Sequence, residues 1–330
     1  MKNILKINSV KKLIKVKLSK INADKIITND VIYSLVTTSL RGIDSHGISQ
    51  IKNIFNRYEN GRTQLKKKAK IIKQSNKSAL ILIDGLNTPG QHGMMTGSRA
   101  CKEKTKKFGI SFCIVNNSTH FGACTPYIKY LADNGLVSII GSNSTQSMIA
   151  FNSKKANLGN NPIGFGFPRK NKNLIIDFST AVLSFGKLNE MINKNIKIPK
   201  EAFTFKQKRF NQIYEISNSQ NYVALPFGNY KGASIAMLIE ILSAVIGGGN
   251  FLKNTEIIKN DKFYGPSHFI IAIDPNKINK NSKSNIEKYL KELSKNYKLR
   301  IPGLNSLKIE KKRTKFGIPL TKELKKFLIK

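Results

Sequence analysis

The chain alternates between stretches whose apolar residues recur every three or four positions and short apolar runs that end in glycine, asparagine or aspartate. Ile26, Ile27, Val31, Leu35 and Val36 follow the first pattern, which stops at Arg41-Gly42 and predicts a helix over 22–40. The same reasoning predicts helices over 51–58, closed by Asn60-Gly61, and over 93–108, closed by Gly109. It adds a core helix over 235–246, closed by Gly247 to Gly249, and a charged amphipathic helix over 285–297. Runs rich in β-branched and aromatic residues at 79–84, 110–115, 136–141, 174–178 and 268–273 predict strands. Residues 188–222 are lysine-rich and without period, and read as a loop excursion. No internal repeat is visible.

Helices and strands mix here without regular βαβ spacing, so the predicted class is α+β (mixed). No G-x-G-x-x-G follows a strand. Gly164-Phe165-Gly166 comes closest, but Arg169 stands where the third glycine belongs. No phosphate-binding G-x-x-x-x-G-K-[ST] loop occurs either. A length of 330 residues is enough for two domains. The expected division is a helical N-terminal domain over 1–75, joined by C-terminal helices over 285–330, and an α+β domain over 76–284. The longest apolar stretch, Ala233 to Ile246, is too short to span a bilayer and contains Glu240. It reads as a buried helix. Met1 to Lys20 has no apolar core of a signal peptide.

Charge changes the picture less than its size implies. Net charge is +38, and of 57 basic residues eight are Arg, leaving 57 − 8 = 49 Lys. Nucleic-acid binders concentrate basic residues on one face, often as Arg. Here Lys runs through the whole chain beside abundant Ile and Asn, as AT-rich codons produce. No specific nucleic acid and no membrane partner is expected. The charge should still attract anionic substrates and cofactor phosphates. Cys101, Cys113 and Cys124 show no C-x-x-C spacing, which points to a reducing cytoplasm. Cys124 lies four residues after His120 and reads as a small packing residue.

Four segments combine glycine with polar chemistry: Arg41 to Gly47, Ser118 to Ala123, Leu158 to Gly166 and Leu225 to Ser234. Glycine there permits positive φ or close backbone approach. The first holds Ser45 and His46, and the second holds His120 at a predicted strand end. In the fourth, Lys231 and Gly232 lead into the apolar helix, where an ammonium and a helix N-terminus together favour an anion. Only four histidines exist, at 46, 92, 120 and 268, and none has the local spacing of a metal set.

These motifs resemble, in order, those of the malate/L-lactate dehydrogenase family of the second type, from Arg41 through Thr119, Leu158, Asp177, Pro226 and Phe269 to Arg300. The resemblance covers roughly residues 10–320. It implies a non-Rossmann cofactor-binding domain beside a mostly helical second domain, NAD or NADP as cofactor, and a homodimer. The implied reaction passes a hydride between NAD(P)H and a small 2-oxo or 2-hydroxy acid such as malate or lactate. Ureidoglycolate oxidation, reduction of a cyclic imine carboxylate, and a decayed binding homologue are the alternatives.

Carried over by motif, His120 is the proton donor or acceptor, and His46 is a catalytic and substrate-site histidine beside Ser45 and Gln50. Ser142, Asn143, Ser144, Asn160, Asn161, Asp177, Ser179, Lys231, Gly232 and Arg300 fall on cofactor-binding positions. His92 and His268 match none and read as structural. Two departures stand out. Gln50 replaces an arginine that would clamp a carboxylate bidentately, and Leu304 replaces an acid.

Overall fold

The computed structural model describes residues 3–170, 172–205, 222–259 and 262–329. The elements run β1 (Asn3–Leu5), α1 (Ile7–Ser19), α2 (Lys25–Leu40), α3 (Gln50–Glu59), β2 (Lys70–Gln74), β3 (Leu80–Asp84), α4 (Gly90–Phe108), β4 (Ile110–Asn116), α5 (Thr125–Asp133), β5 (Val137–Ser142), β6 (Pro162–Phe167) and β7 (Leu174–Ser179). They continue α6 (Phe185–Asn193), β8 (Phe203–Phe205), β9 (Tyr222–Ala224), α7 (Tyr230–Glu240), β10 (Ile257–Lys259), β11 (Lys262–Tyr264), β12 (His268–Ile273), α8 (Ser282–Asn296), α9 (Leu304–Phe316), β13 (Ile318–Leu320) and α10 (Lys322–Ile329).

Lysines crowd α1, yet Val10, Ile14 and Leu18, four residues apart, are fully buried. Asp24 starts α2 by accepting from the backbone N–H groups of Ile26 and Ile27 at 2.7 and 3.2 Å, which satisfies two otherwise unpaired donors. The apolar stripes of α1, α2 and α3 close on one core with Ile318, Leu320, Leu324 and Leu328 from the C-terminal end.

Seven strands form the main sheet, in the order β2-β3-β4-β12-β5-β6-β7. Only β3 and β4 are parallel; the other neighbours are antiparallel. This main sheet is thus mixed and largely antiparallel, unlike the parallel doubly wound sheet of a Rossmann domain. Helices α4 and α5 cover the sheet with Met94, Cys101, Tyr127, Ile128 and Leu131. Gly164 and Gly166 lie on β6 beneath α5. A Cβ on either would come within 2.6 Å of the Ile128 side chain. These glycines serve close helix–strand packing rather than a phosphate loop.

The predicted core helix over 235–246 needs correction. It begins at Tyr230, after a left-handed turn at Gly228 (φ 55°) and Asn229 (φ 53°), and passes at Ile241–Val245 into a π-helical turn. Ala233, Ala236, Ile239 and Ala244 are buried, while Met237, Leu238, Val245 and Ile246 are 46–60% exposed. Only one side has the sheet to lie against. The loop reading of 188–222 is also corrected where it can be checked. Helix α6 reaches Asn193 and β8 pairs with β9, while 206–221 lie outside the described residues. Helix α8 packs through Leu290 on Leu174 and Ile301, not on the N-terminal helices.

Candidate active site

The turn after α2 shows what each polar residue of Arg41 to Gly47 does. Arg41, 2% exposed, pairs with Glu310 of α9 at 2.8 Å. Asp44 receives Arg313 Nη2 at 2.9 Å. A Cβ on Gly47 would collide with Ser39, whose Oγ accepts from Ile48 N–H at 2.9 Å. Arg41, Asp44 and Gly47 thus tie the turn down. Ser45 and His46 are left facing a pocket, with Ser45 Oγ 2.9 Å from His46 Nδ1 and Gln50 Nε2 donating to Ser45 O at 2.6 Å.

Opposite stands His120, past the end of β4. Its loop is held by Thr119, whose Oγ1 accepts from Gly90 N–H at 3.0 Å and donates to Thr88 O at 3.2 Å. Gly122, at φ 88°, turns its N–H onto His120 Nδ1 at 3.2 Å. Because a backbone N–H can only donate, the proton of the neutral ring sits on Nε2. The rings of His46 and His120 stack with centroids 5.7 Å apart.

Burial pushes the His120 imidazole from 6.5 down to about 3, helped by the charges of His46, Arg57 and His268. Burial also lowers His46, against the pull of Asp177. Asp177 itself is raised by burial, opposed by its bonds from Thr125. It accepts from Thr125 N–H and Oγ1 at 2.9 and 2.8 Å, at the N-terminus of α5.

The third wall is a line of neutral hydroxyls and amides: Ser142, Asn143, Ser144, Thr145, Ser147, Asn160 and Ser179. Its loops hang on two buried anchors. Glu240, 4% exposed, accepts from Asn161 Nδ2 at 3.0 Å, from Asn143 Nδ2 at 3.4 Å and from Leu252 N–H at 2.9 Å. Asn161 Oδ1 in turn accepts from Ser144 N–H at 2.9 Å. The second anchor, His268, lies between Ser142 Oγ at 2.7 Å and Ser118 Oγ at 2.9 Å.

Together these walls enclose about 730 Å³, a volume typical of cofactor and small-ligand sites. Ser45, His46, Gln50, His120, Ser142, Asn143, Ser144, Asn160, Asp177 and Ser179 all line it. Asn161 lies fully buried behind it. Lys231 and Arg300 are exposed and do not line it, and Gly232 is packed under Phe227 and Thr180. The motifs did not mark Thr145, Ser147, the run 181–187 or Glu256. That run lies where the pattern changes into the segment read as loop, and Glu256 belongs to no motif. His92 is structural: it takes Ala69 N–H on Nε2 at 3.2 Å and meets Asp30 at 2.7 Å through Nδ1.

A nicotinamide nucleoside fits this chemistry. Its sugar hydroxyls and carboxamide need neutral hydrogen-bonding groups, such as those along the third wall. Its reactive ring needs room beside a titratable group, and His120 lines the same space. No group of three or more His, Cys, Asp or Glu placed to hold a metal ion occurs among the described residues. The three thiols are buried, and burial raises those of Cys113 and Cys124 well above the usual range. Cys124 is therefore a poor nucleophile.

Comparison with known proteins agrees with this geometry. Residues 5–328 match the malate/L-lactate dehydrogenase family. A malate/(S)-sulfolactate dehydrogenase of Methanothermus fervidus is 31% identical over 304 residues, covering 90% of this chain and 87% of that protein. The structure of sulfolactate dehydrogenase from Methanocaldococcus jannaschii superposes with a TM-score of 0.87 at 27% identity, covering 99% of this chain and 95% of the other. Malate dehydrogenase from Entamoeba histolytica gives 0.90 at 24% identity, over 100% and 97%. With the match spanning nearly the whole chain and the two histidines facing each other across one pocket, this chain belongs to the malate/L-lactate dehydrogenase family, as an oxidoreductase of small 2-hydroxy and 2-oxo acids.

Proposed function

We propose that the chain reduces small 2-oxo acids carrying a second acidic group, and oxidises the matching 2-hydroxy acids, with His120 moving the proton. The observation that carries this reading is the His46–His120 pair stacked at 5.7 Å within a pocket of about 730 Å³. Relatives named for malate and sulfolactate support the second acidic group. When bound, NAD(H) or NADP(H) supplies or takes the hydride.

The chain's own residues do the rest. Ser45, His46 and Gln50 face the substrate, and the wall from Ser142 to Ser147, with Asn160 and Ser179, holds the nicotinamide nucleoside. The substrate's negative charge favours protonation of His120. The protonated ring, its Nδ1 released from Gly122 N–H, gives its Nε2 proton to the carbonyl oxygen as that oxygen becomes a hydroxyl, and returns neutral with its proton on Nδ1. In the reverse direction the hydroxyl proton passes back to the bare Nε2 of that tautomer. Asp177, close enough to His46 to affect its titration, positions that ring.

Lys231 and Arg300, exposed and off the pocket wall, are assigned an outer electrostatic role toward cofactor phosphates. The division we favour places 3–66 and 304–329 in the helical unit and the rest with the sheet, which follows the packing of α8 and α10. The apolar strip of α7, with Met237, Leu238 and Ile241 all at least 38% exposed, supports a homodimer closed over it. Three buried free thiols support a cytoplasmic setting.

The test is a panel of 2-oxo acids and cyclic imine carboxylates scored for oxidation of NADH and NADPH. Turnover of oxaloacetate or sulfopyruvate above pyruvate is the expected result. Turnover of imines alone would overturn it.

A further inference from the structure

An acid substrate needs a cation in its pocket. Among the described residues lining this one, the only Lys or Arg is Lys187, exposed on α6. Gln50 is neutral, and burial disfavours charge on both His46 and His120. Two carboxylates, Asp177 and Glu256, already face the space. An incoming anion meets more negative than positive charge unless a further cation is recruited.

Arg57 stands directly behind. From α3 it shares with Gln50 and His120 the lining of a chamber of about 10 Å³. Burial and the charge of His46 depress the His120 imidazole, and the charge of Arg57 adds to them. Its guanidinium is used on one side only. Nη2 donates to Glu256 Oε1 at 2.8 Å, while Nη1 is buried without a partner. The unpartnered Oε1 of Gln91 lies on a residue lining the same chamber, and one water would fit there. It would use one of the five guanidinium donors.

Glu256 is poised to leave. It lines the main pocket, its side chain is 20% exposed, and its backbone sits at φ 60°, a conformation that side-chain-bearing residues rarely hold. The short loop before it also carries Leu252 at φ 50°.

We propose that Arg57 is the cation that takes an acid group of the substrate, and that Glu256 covers it as an internal stand-in which the substrate displaces. This rests on the reading of the pocket as a 2-oxo acid site. Glu256 uses one nitrogen of the guanidinium, whereas a free carboxylate or sulfonate can engage both, and a fork of parallel bonds outcompetes a single one. A purely structural bridge between α3 and the β10 loop is the rival account, and KM against kcat separates the two.

The experiment measures both constants with oxaloacetate, and oxalate affinity by calorimetry on the cofactor complex, in Glu256→Gln, Arg57→Gln, Arg57→Lys and the double variant Arg57→Gln/Glu256→Gln. Glu256→Gln should lower KM and oxalate Kd by at least about threefold. Arg57→Gln should raise both by at least about tenfold, with kcat within about threefold, the loss expected for one charge-assisted contact. Arg57→Lys should recover part of it, and in the double variant the gain from removing Glu256 should vanish. A structural bridge predicts instead that Glu256→Gln leaves KM and oxalate Kd level or raises them while lowering thermal stability, and that result overturns the proposal. If the wild type turns over no 2-oxo acid, the reading of the reaction fails. Oxalate affinity then still decides the clamp, since an unchanged value in Glu256→Gln removes it.

Discussion

Acidification should loosen this protein through His268, and the size of the effect can be worked out. The ring is completely buried, with Ser142 Oγ and Ser118 Oγ on its two nitrogens and Phe121 at a centroid distance of 4.8 Å. Burial pushes its titration from 6.5 down to about 3. Between those values the unfolded chain carries the proton and the folded one does not, so stability rises with pH and is lost as pH falls below 6.5. One proton gives a slope of about 1.4 kcal/mol per pH unit. From about pH 6.5 to about pH 5 the loss is roughly 2 kcal/mol, a sizeable share of a typical 5–15 kcal/mol. His120 acts with the same sign. Asp177, raised by burial, acts with the opposite sign at lower pH. Both remain in the variant His268→Gln and cancel in a comparison. Urea unfolding of wild type and variant at about pH 7.5 and about pH 5 gives the difference. The wild type should lose roughly 2 kcal/mol more than the variant over that interval. Parallel pH profiles would refute the argument that a neutral buried ring ties the Ser118 and Ser142 loops together.

Asn161→Ala removes the donor to Ala236 O and Glu240 and the acceptor for Ser144 N–H; it should cost roughly 2–4 kcal/mol in urea unfolding and weaken cofactor binding. Unchanged cofactor fluorescence titration would show that Ser144 needs no such support. Gln50→Arg restores the guanidinium of the family pattern, yet it places a second cation beside Arg57 at the same chamber, so the KM for oxaloacetate should stay level or rise. A clear fall in KM would show that the carboxylate site lacks a cation and that Arg57 does not supply one. In the oxidative direction the free enzyme needs a neutral His120, and burial keeps it neutral down to about 3. kcat/KM for the 2-hydroxy acid should therefore stay flat from about pH 8 to about pH 5, and a decline centred on the ordinary histidine value would contradict the burial argument.

Glycine and caps made the sheet lobe legible. Helix α4 ends at Gly109, φ 85°, where the sequence placed the stop, and β4, β5, β7 and β12 lie within a residue or so of their predicted runs. Polar residues at those strand ends line the pocket, which is why so many motif residues meet there. The failures have physical causes. Lysine density hid the four-residue stripe of α1. No strand is predicted for β6, where Gly164 and Gly166 interrupt the apolar run; space for Ile128, not turn chemistry, requires them. Helix α7 read as fully buried because its outer face is as apolar as its inner one. Glu256 carried no local signal, and nothing local pairs it with Arg57, since α3 and the β10 loop meet only in the folded chain.

Single-turnover hydride transfer in His120→Gln, read as the change in reduced-cofactor absorbance with oxaloacetate at saturation, tests the central claim most directly. The ring faces His46 across the pocket and is held by Gly122 through its other nitrogen. The transfer rate should fall at least about 100-fold, the scale of a lost general acid, while the cofactor dissociation constant stays within about twofold. A rate near that of the wild type, with the cofactor bound normally, would remove His120 from the proton step and with it the account of this pocket as the place where a 2-oxo acid is reduced.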